Sequence, residues 1–138
     1  MILVSSIPID PIKVPHVFQG KPCEFSIRPL DAEIMTGIQE GCAVYEFAPS
    51  PITGKLEKVN ATTDAALDLA LYAHIVAGWT GFVDGKKREL PVTPKNILAV
   101  TQLKPGKGEL SLSVWFIRTA RELGEKLHAE QELEIKNS

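Results

Sequence analysis

The chain has 138 residues, the length of one domain, and its 44% hydrophobic and 23% charged content is that of a globular protein, not a disordered one. Fifteen Lys and Arg against seventeen Asp and Glu give a formal charge of -2, without the basic excess that phosphate neutralisation asks of a nucleic-acid binder. Cys23 and Cys42 are too few for a disulfide framework and read as small buried hydrophobes, a single bridge between them being the alternative.

Residues 1–22 carry Pro8, Pro11, Pro15 and Pro22 among short apolar runs. Proline supplies no backbone donor and pushes the preceding residue toward extended geometry. This predicts an extended arm or edge strand, with strand-like runs at residues 2–4 and 12–18. The apolar start lacks a basic leader region and is broken by prolines, so it does not read as a signal peptide. Gly20-Lys21-Pro22 reads as a turn, and residues 23–28 alternate like a half-buried strand.

Asp31 is a helix-capping residue, and Ile34, Ile38, Cys42 and Tyr45 follow at spacings that share one helical face. Gly37 and Gly41 weaken that helix by up to about 1 kcal/mol each relative to alanine. Residues 48–55 read as a loop and 56–60 as a short strand. Residues 23–60 are thus a strand, a helix and a loop.

Residues 61–138 read as a helical core. Thr62, Thr63 or Asp64 caps a helix over 65–77, interrupted only by Asp68 and His74, and Gly78 suits the left-handed position after its end. That apolar run is too short to span a bilayer. Asp84-Gly85 between two extended runs predicts a small β-hairpin near 80–92 with a type I′ turn. Thr93-Pro94 starts a helix to about residue 103, with Ile97, Leu98 and Val100 inward. After the break at 104–108, a last helix runs from 109 to about 132 with the stripe Leu112, Phe116, Ala120, Leu123 and Leu127. Glu130, Glu132 and Glu134 lie at the end where the macrodipole disfavours anions, which predicts fraying. The fold class is α+β: a single domain over 1–138, predominantly helical in its C-terminal two thirds, with an extended or β segment at the N-terminus.

Reactive patterns are few. His16, His74 and His128 lack the spacing of a metal helix, and neither cysteine has a CxxC partner, so no metal or cofactor is expected. There is no nucleophile elbow, and residues 104–111 lack the order of a phosphate loop. Asp31, Asp64 and Asp84 read as cap, cap and turn residue, which leaves Asp68 a lone carboxylate. The expectation is a protein that is not an enzyme. His74, the one titratable group in an apolar helix, reads as a core or interface histidine with one local hydrogen bond. Trp79 and Trp115 are either core plugs or binding anchors, since tryptophan is enriched at interaction hot spots. The candidate partner-binding residues are Trp79, Trp115, Phe116, Leu123 and Leu127.

The segment LALYAHIVAGWTGFVDGKKRELPVTPKNILAV (69–100) joins an apolar helix, a Gly-Trp-x-Gly step, a hairpin around Asp-Gly and Leu-Pro-x-Thr-Pro-x-Asn before another helix. In that order it resembles the tail-assembly chaperones of long-tailed bacteriophages and prophages, as do EFSIRPLDAEI (24–34) and the closing EIKNS. No counterpart of the proline-rich start is found in that family. The resemblance implies a non-catalytic protein of the host bacterial cytoplasm that covers the tape-measure protein during tail assembly and is absent from the mature virion. It also implies contact with tail-tube protein and self-association as a homo-oligomer; from the charge balance and the short apolar run, neither nucleic acid nor membrane is expected as partner. The alternatives are a structural virion component, such as a tail terminator or connector subunit, and a small-ligand-binding or enzyme domain.

Overall fold

In the computed structural model, residues 10–137 are described, with side chains to residue 135; the strand expected at residues 2–4 lies outside them. Strand β1 (Ile12–Phe18) pairs antiparallel with β2 (Lys21–Ile27), Ile12 opposite Ile27 and Phe18 opposite Lys21. Gln19 and Gly20, at φ 53° and 72°, are the two turn residues. A two-residue hairpin needs such a left-handed pair because its twist matches that of the strands. From residue 12 the proline-rich start is therefore a sheet edge, and the turn falls one residue earlier than Gly20-Lys21-Pro22. Glu109 holds this turn from across the chain, accepting from the backbone N–H of Gln19 at 2.7 Å and of Gly20 at 3.4 Å.

Helix α1 (Ala32–Gly41) starts as expected, with the Asp31 carboxylate accepting from Ile34 N at 2.7 Å. It stops at Cys42, and Tyr45 lies not on its face but in β3 (Tyr45–Pro49), which pairs with β4 (Leu56–Asn60). Two helix-weakening glycines end the helix early, and the β-favouring alternation of Val44, Tyr45 and Phe47 takes over.

Helix α2 (Asp64–Ile75) is capped by Thr63, whose hydroxyl accepts from Ala66 N at 3.2 Å. It ends two residues earlier than expected. Val76 turns directly into β5 (Val76–Thr80), which pairs antiparallel with the free edge of β2 to complete the order β1-β2-β5. Gly78 is thus a strand residue opposite Ser26, not a helix terminator. Unpaired backbone groups on β2 outweigh the helical preference of two more residues, since each buried polar group left unmade costs about 1–3 kcal/mol.

The hairpin expected at 80–92 is reduced to one bridge, Val83 to Glu89, with Leu90 N donating to Phe82 O at 2.9 Å. Its turn is not type I′: Lys87 N donates to Asp84 O, Asp84 N donates to Arg88 O, and Lys87 carries the positive φ of 60°. The Asp84 side chain accepts from Lys86 N and Arg88 N, the first being the bond two residues on that aspartate characteristically makes in turns. Helix α3 (Pro94–Thr101) has Thr93 as cap and buries Ile97 and Val100, but Leu98 faces outward. Helix α4 (Leu112–Asn137) begins three residues late, because Glu109 is occupied with the β1–β2 turn, and it continues past the expected fraying point.

The core lies between the three-stranded sheet and α2, α3 and α4. Phe25 and Ile27 of β2, Ile75 of α2 and Leu112, Phe116 and Ala120 of α4 are all fully buried. The Phe25 ring meets Phe116 edge-on at 5.0 Å, a preferred aromatic geometry. After β2 the chain crosses α4 so closely that Leu30 N donates to Ala120 O at 2.9 Å, and a Cβ on buried Gly124 would run into the Leu30 carbonyl. Small residues one turn apart permit that crossing. No helix among the described residues is long and apolar enough to cross a membrane.

Candidate partner-binding surface

The most exposed large hydrophobic side chains among the described residues, Ile52, Phe47 and Leu56, all lie on the β3–β4 hairpin. Side chains alternate between the two faces of a strand, and residues directly opposite share a face. The pairing Tyr45–Asn60, Phe47–Lys58 and Pro49–Leu56 therefore collects Tyr45, Phe47, Pro49 and Leu56 on one side, with Lys58 among them. Glu46 and Glu57 lie on the other. Phe47 is 73% exposed, Leu56 68% and Tyr45 55%, and Ile52 at the tip is 92% exposed. Scattered exposed apolar residues need no explanation, but a contiguous aromatic and aliphatic face marks an interaction site.

An isolated two-stranded hairpin is marginal in water, so this one needs anchors. At its base Val44 N donates to the Thr62 hydroxyl at 3.0 Å and Ala61 N to Val44 O at 2.7 Å. Across its tip Ser50 N donates to Lys55 O and Gly54 N to Ser50 O, while the buried Ser50 hydroxyl accepts from Ile52 N and Thr53 N. Gly54 supplies the positive φ of 70° that this tip requires. The face is thus presented on a hydrogen-bonded frame closed at both ends.

The residues singled out from the sequence fall elsewhere. Trp79 is 6% exposed and Phe116 0%, so neither has surface to offer a partner: both are core residues. Trp115 is half-buried, stacked on the His16 ring at 4.0 Å and 5.3 Å from Phe25. Leu123 and Leu127 are half-buried on α4. The aromatic cluster thus closes the rim of the core, and the three most exposed large hydrophobics among the described residues, Ile52, Phe47 and Leu56, fall within residues 45–56, part of which reads as a loop from sequence. The available signal was the alternation of Tyr45 and Phe47 with Glu46 and Ala48.

Within residues 69–100 the characteristic side chains hold the chain path. Trp79 Nε1 donates to Leu90 O at 2.8 Å, Asn96 Nδ2 to Pro91 O at 2.9 Å, and Thr93 caps α3. Gly81, at φ 98°, lies where a Cβ would come 3.1 Å from both Pro22 O and Cys23 Cβ. Each of these groups is committed to a backbone contact.

Titratable groups meet at two clefts. The Asp31 carboxylate is pushed up by burial, but hydrogen bonds from Ile34 N and from His128, 2.9 Å away, hold it below the ordinary value. Both oxygens are engaged, although the pair borders a cleft of about 600 Å³ with Met35, Arg121 and Glu125. Burial lowers the His74 pKa; the Pro29 carbonyl works against this and the Arg28 charge with it. The buried Nε2 of His74 has no hydrogen-bond partner. Asp68 shares a cleft with Tyr72, whose hydroxyl is pushed up by burial and by the Asp68 charge. Among the described residues no group of three or more His, Cys, Asp or Glu side chains could hold a metal ion. Both cysteines are free thiols.

Comparison with protein families, with curated proteins and with solved structures finds no match to this chain.

Proposed function

We propose that this protein is a non-catalytic tail-assembly chaperone of a long-tailed phage or prophage, which covers apolar stripes of the tape-measure protein through the β3–β4 hairpin. The observation that carries the reading is the exposed face of Tyr45, Phe47, Pro49 and Leu56 on a frame fixed at base and tip. A long helical client exposes apolar stripes before assembly, and a preorganised apolar surface binds such stripes with little ordering cost. The resemblance over residues 69–100 supports the family, and the structural duties of Trp79, Gly81, Thr93 and Asn96 suit a scaffold motif rather than a reaction centre.

The test is co-expression with a fragment of a long-tailed phage tape-measure protein. The wild-type chain should keep the fragment soluble and copurify with it, and Phe47→Ser with Leu56→Ser should lose both effects. A fragment that stays insoluble with the wild-type chain would overturn the proposal. So would the chain's presence in purified particles by mass spectrometry, the outcome expected of a structural tail component.

A further inference from the structure

We infer that the occupant of the hairpin face is an amphipathic helix whose apolar stripe is bordered by acidic side chains. This rests on the reading of the hairpin as the partner surface and adds a charge to it. Sorting by register puts Lys58 on the apolar side with Phe47 and Leu56, and Glu46 and Glu57 on the reverse. The Lys58 ammonium stands 4.3 Å from the centroid of the Tyr45 ring, on the surface that a partner would cover. Among the described residues it closes no ion pair: the two present join Arg88 to Asp84 and His128 to Asp31.

A helix laid on this face desolvates Lys58. A partner without a carboxylate leaves the buried ammonium uncompensated, and one with lysines or arginines at the border adds repulsion. A glutamate or aspartate beside the stripe instead closes a charge-assisted hydrogen bond. The two carboxylates on the reverse side lie on the far side of the sheet from such a helix, so they do not offset the preference.

Two synthetic amphipathic peptides of about 20 residues, long enough to form a helix, test this with the full chain. They share one leucine stripe and differ only in glutamate or lysine borders, and binding is read by fluorescence anisotropy. The acidic peptide should bind about fivefold more tightly, the scale of one partly screened ion pair. The gap should narrow as salt is raised and close in Lys58→Met, which keeps the apolar stem. Equal affinities, or a preference for the lysine peptide, would overturn the charge preference while leaving the hairpin as the binding surface. Binding of neither peptide, or binding that survives Phe47→Ser, would overturn the hairpin reading as well. Concentration-dependent dimerisation of the chain alone, abolished by Phe47→Ser, would assign the face to a second copy and overturn the inference.

Discussion

The Trp79 indole donates to the Leu90 carbonyl across 2.8 Å, and this bond ties the loop over 81–90 back onto β5. The same ring lies 5.8 Å from Phe82, so it both fills the core and satisfies a backbone oxygen. Trp79→Phe keeps part of the volume and leaves that oxygen without its donor. It should cost about 1–3 kcal/mol, seen as a lower urea midpoint with an unchanged slope. An unchanged midpoint would show that the bond is not needed.

Gly124 offers a test in which two physical rules give opposite signs. By helix propensity, Gly124→Ala inside α4 should stabilise by about 1 kcal/mol. By packing it should destabilise, because the new methyl meets the Leu30 carbonyl where β2 leads across the helix. Overpacking typically costs about 1–3 kcal/mol, and here the obstacle is backbone. The melting temperature of the variant should fall; a rise would mean that the crossing yields to a methyl group.

Acidification should weaken the fold in two stages. Burial holds the pKa of His74, and of His16, below the ordinary 6.5. The unfolded chain then takes up protons at higher pH than the folded one, and stability declines from about pH 7 toward pH 5. Asp31, held below its ordinary 3.8, adds stability that is present above that value and is lost as pH falls through the folded one. His74→Gln should make the decline between pH 7 and pH 5 shallower in urea titrations. An unaltered slope would remove His74 from the account.

Exposed and buried phenylalanines should separate binding from stability. Phe47→Ser should shift unfolding by no more than about 0.5 kcal/mol, as surface changes do, while removing partner binding. Phe116→Ala, at a fully buried site, should cost about 3–5 kcal/mol. Comparable losses from both would mean that the hairpin face is covered by the rest of the chain.

Local chemistry was legible wherever a residue acts on its near neighbours. The caps at Asp31 and Thr93, the proline that opens α3 and the stripe from Leu112 through Ala120 follow from sequence and recur in the structure, which also selects Thr63 from the three candidate caps of α2. Errors gathered where a distant element decided the outcome. Helix α2 surrendered Val76 and Ala77 to the edge of β2, and Glu109 left the start of α4 for the turn at Gln19 and Gly20. For the candidate site, sequence pointed to tryptophans, which are enriched both in cores and at interfaces, and only burial could tell the two uses apart.

By itself the sequence determined the α+β class, the helical weight of the second half, the capped starts of three helices and the inward stripe of α4. Those depend on hydrogen bonds and spacings within a turn or two of chain. Tertiary structure alone decided that Val76–Thr80 is a strand and that a Cβ at Gly124 would meet the Leu30 carbonyl. It also decided that Phe47 and Leu56 face outward while Trp79 and Phe116 do not. Burial is a property of what arrives from elsewhere in the chain, and no local pattern records it.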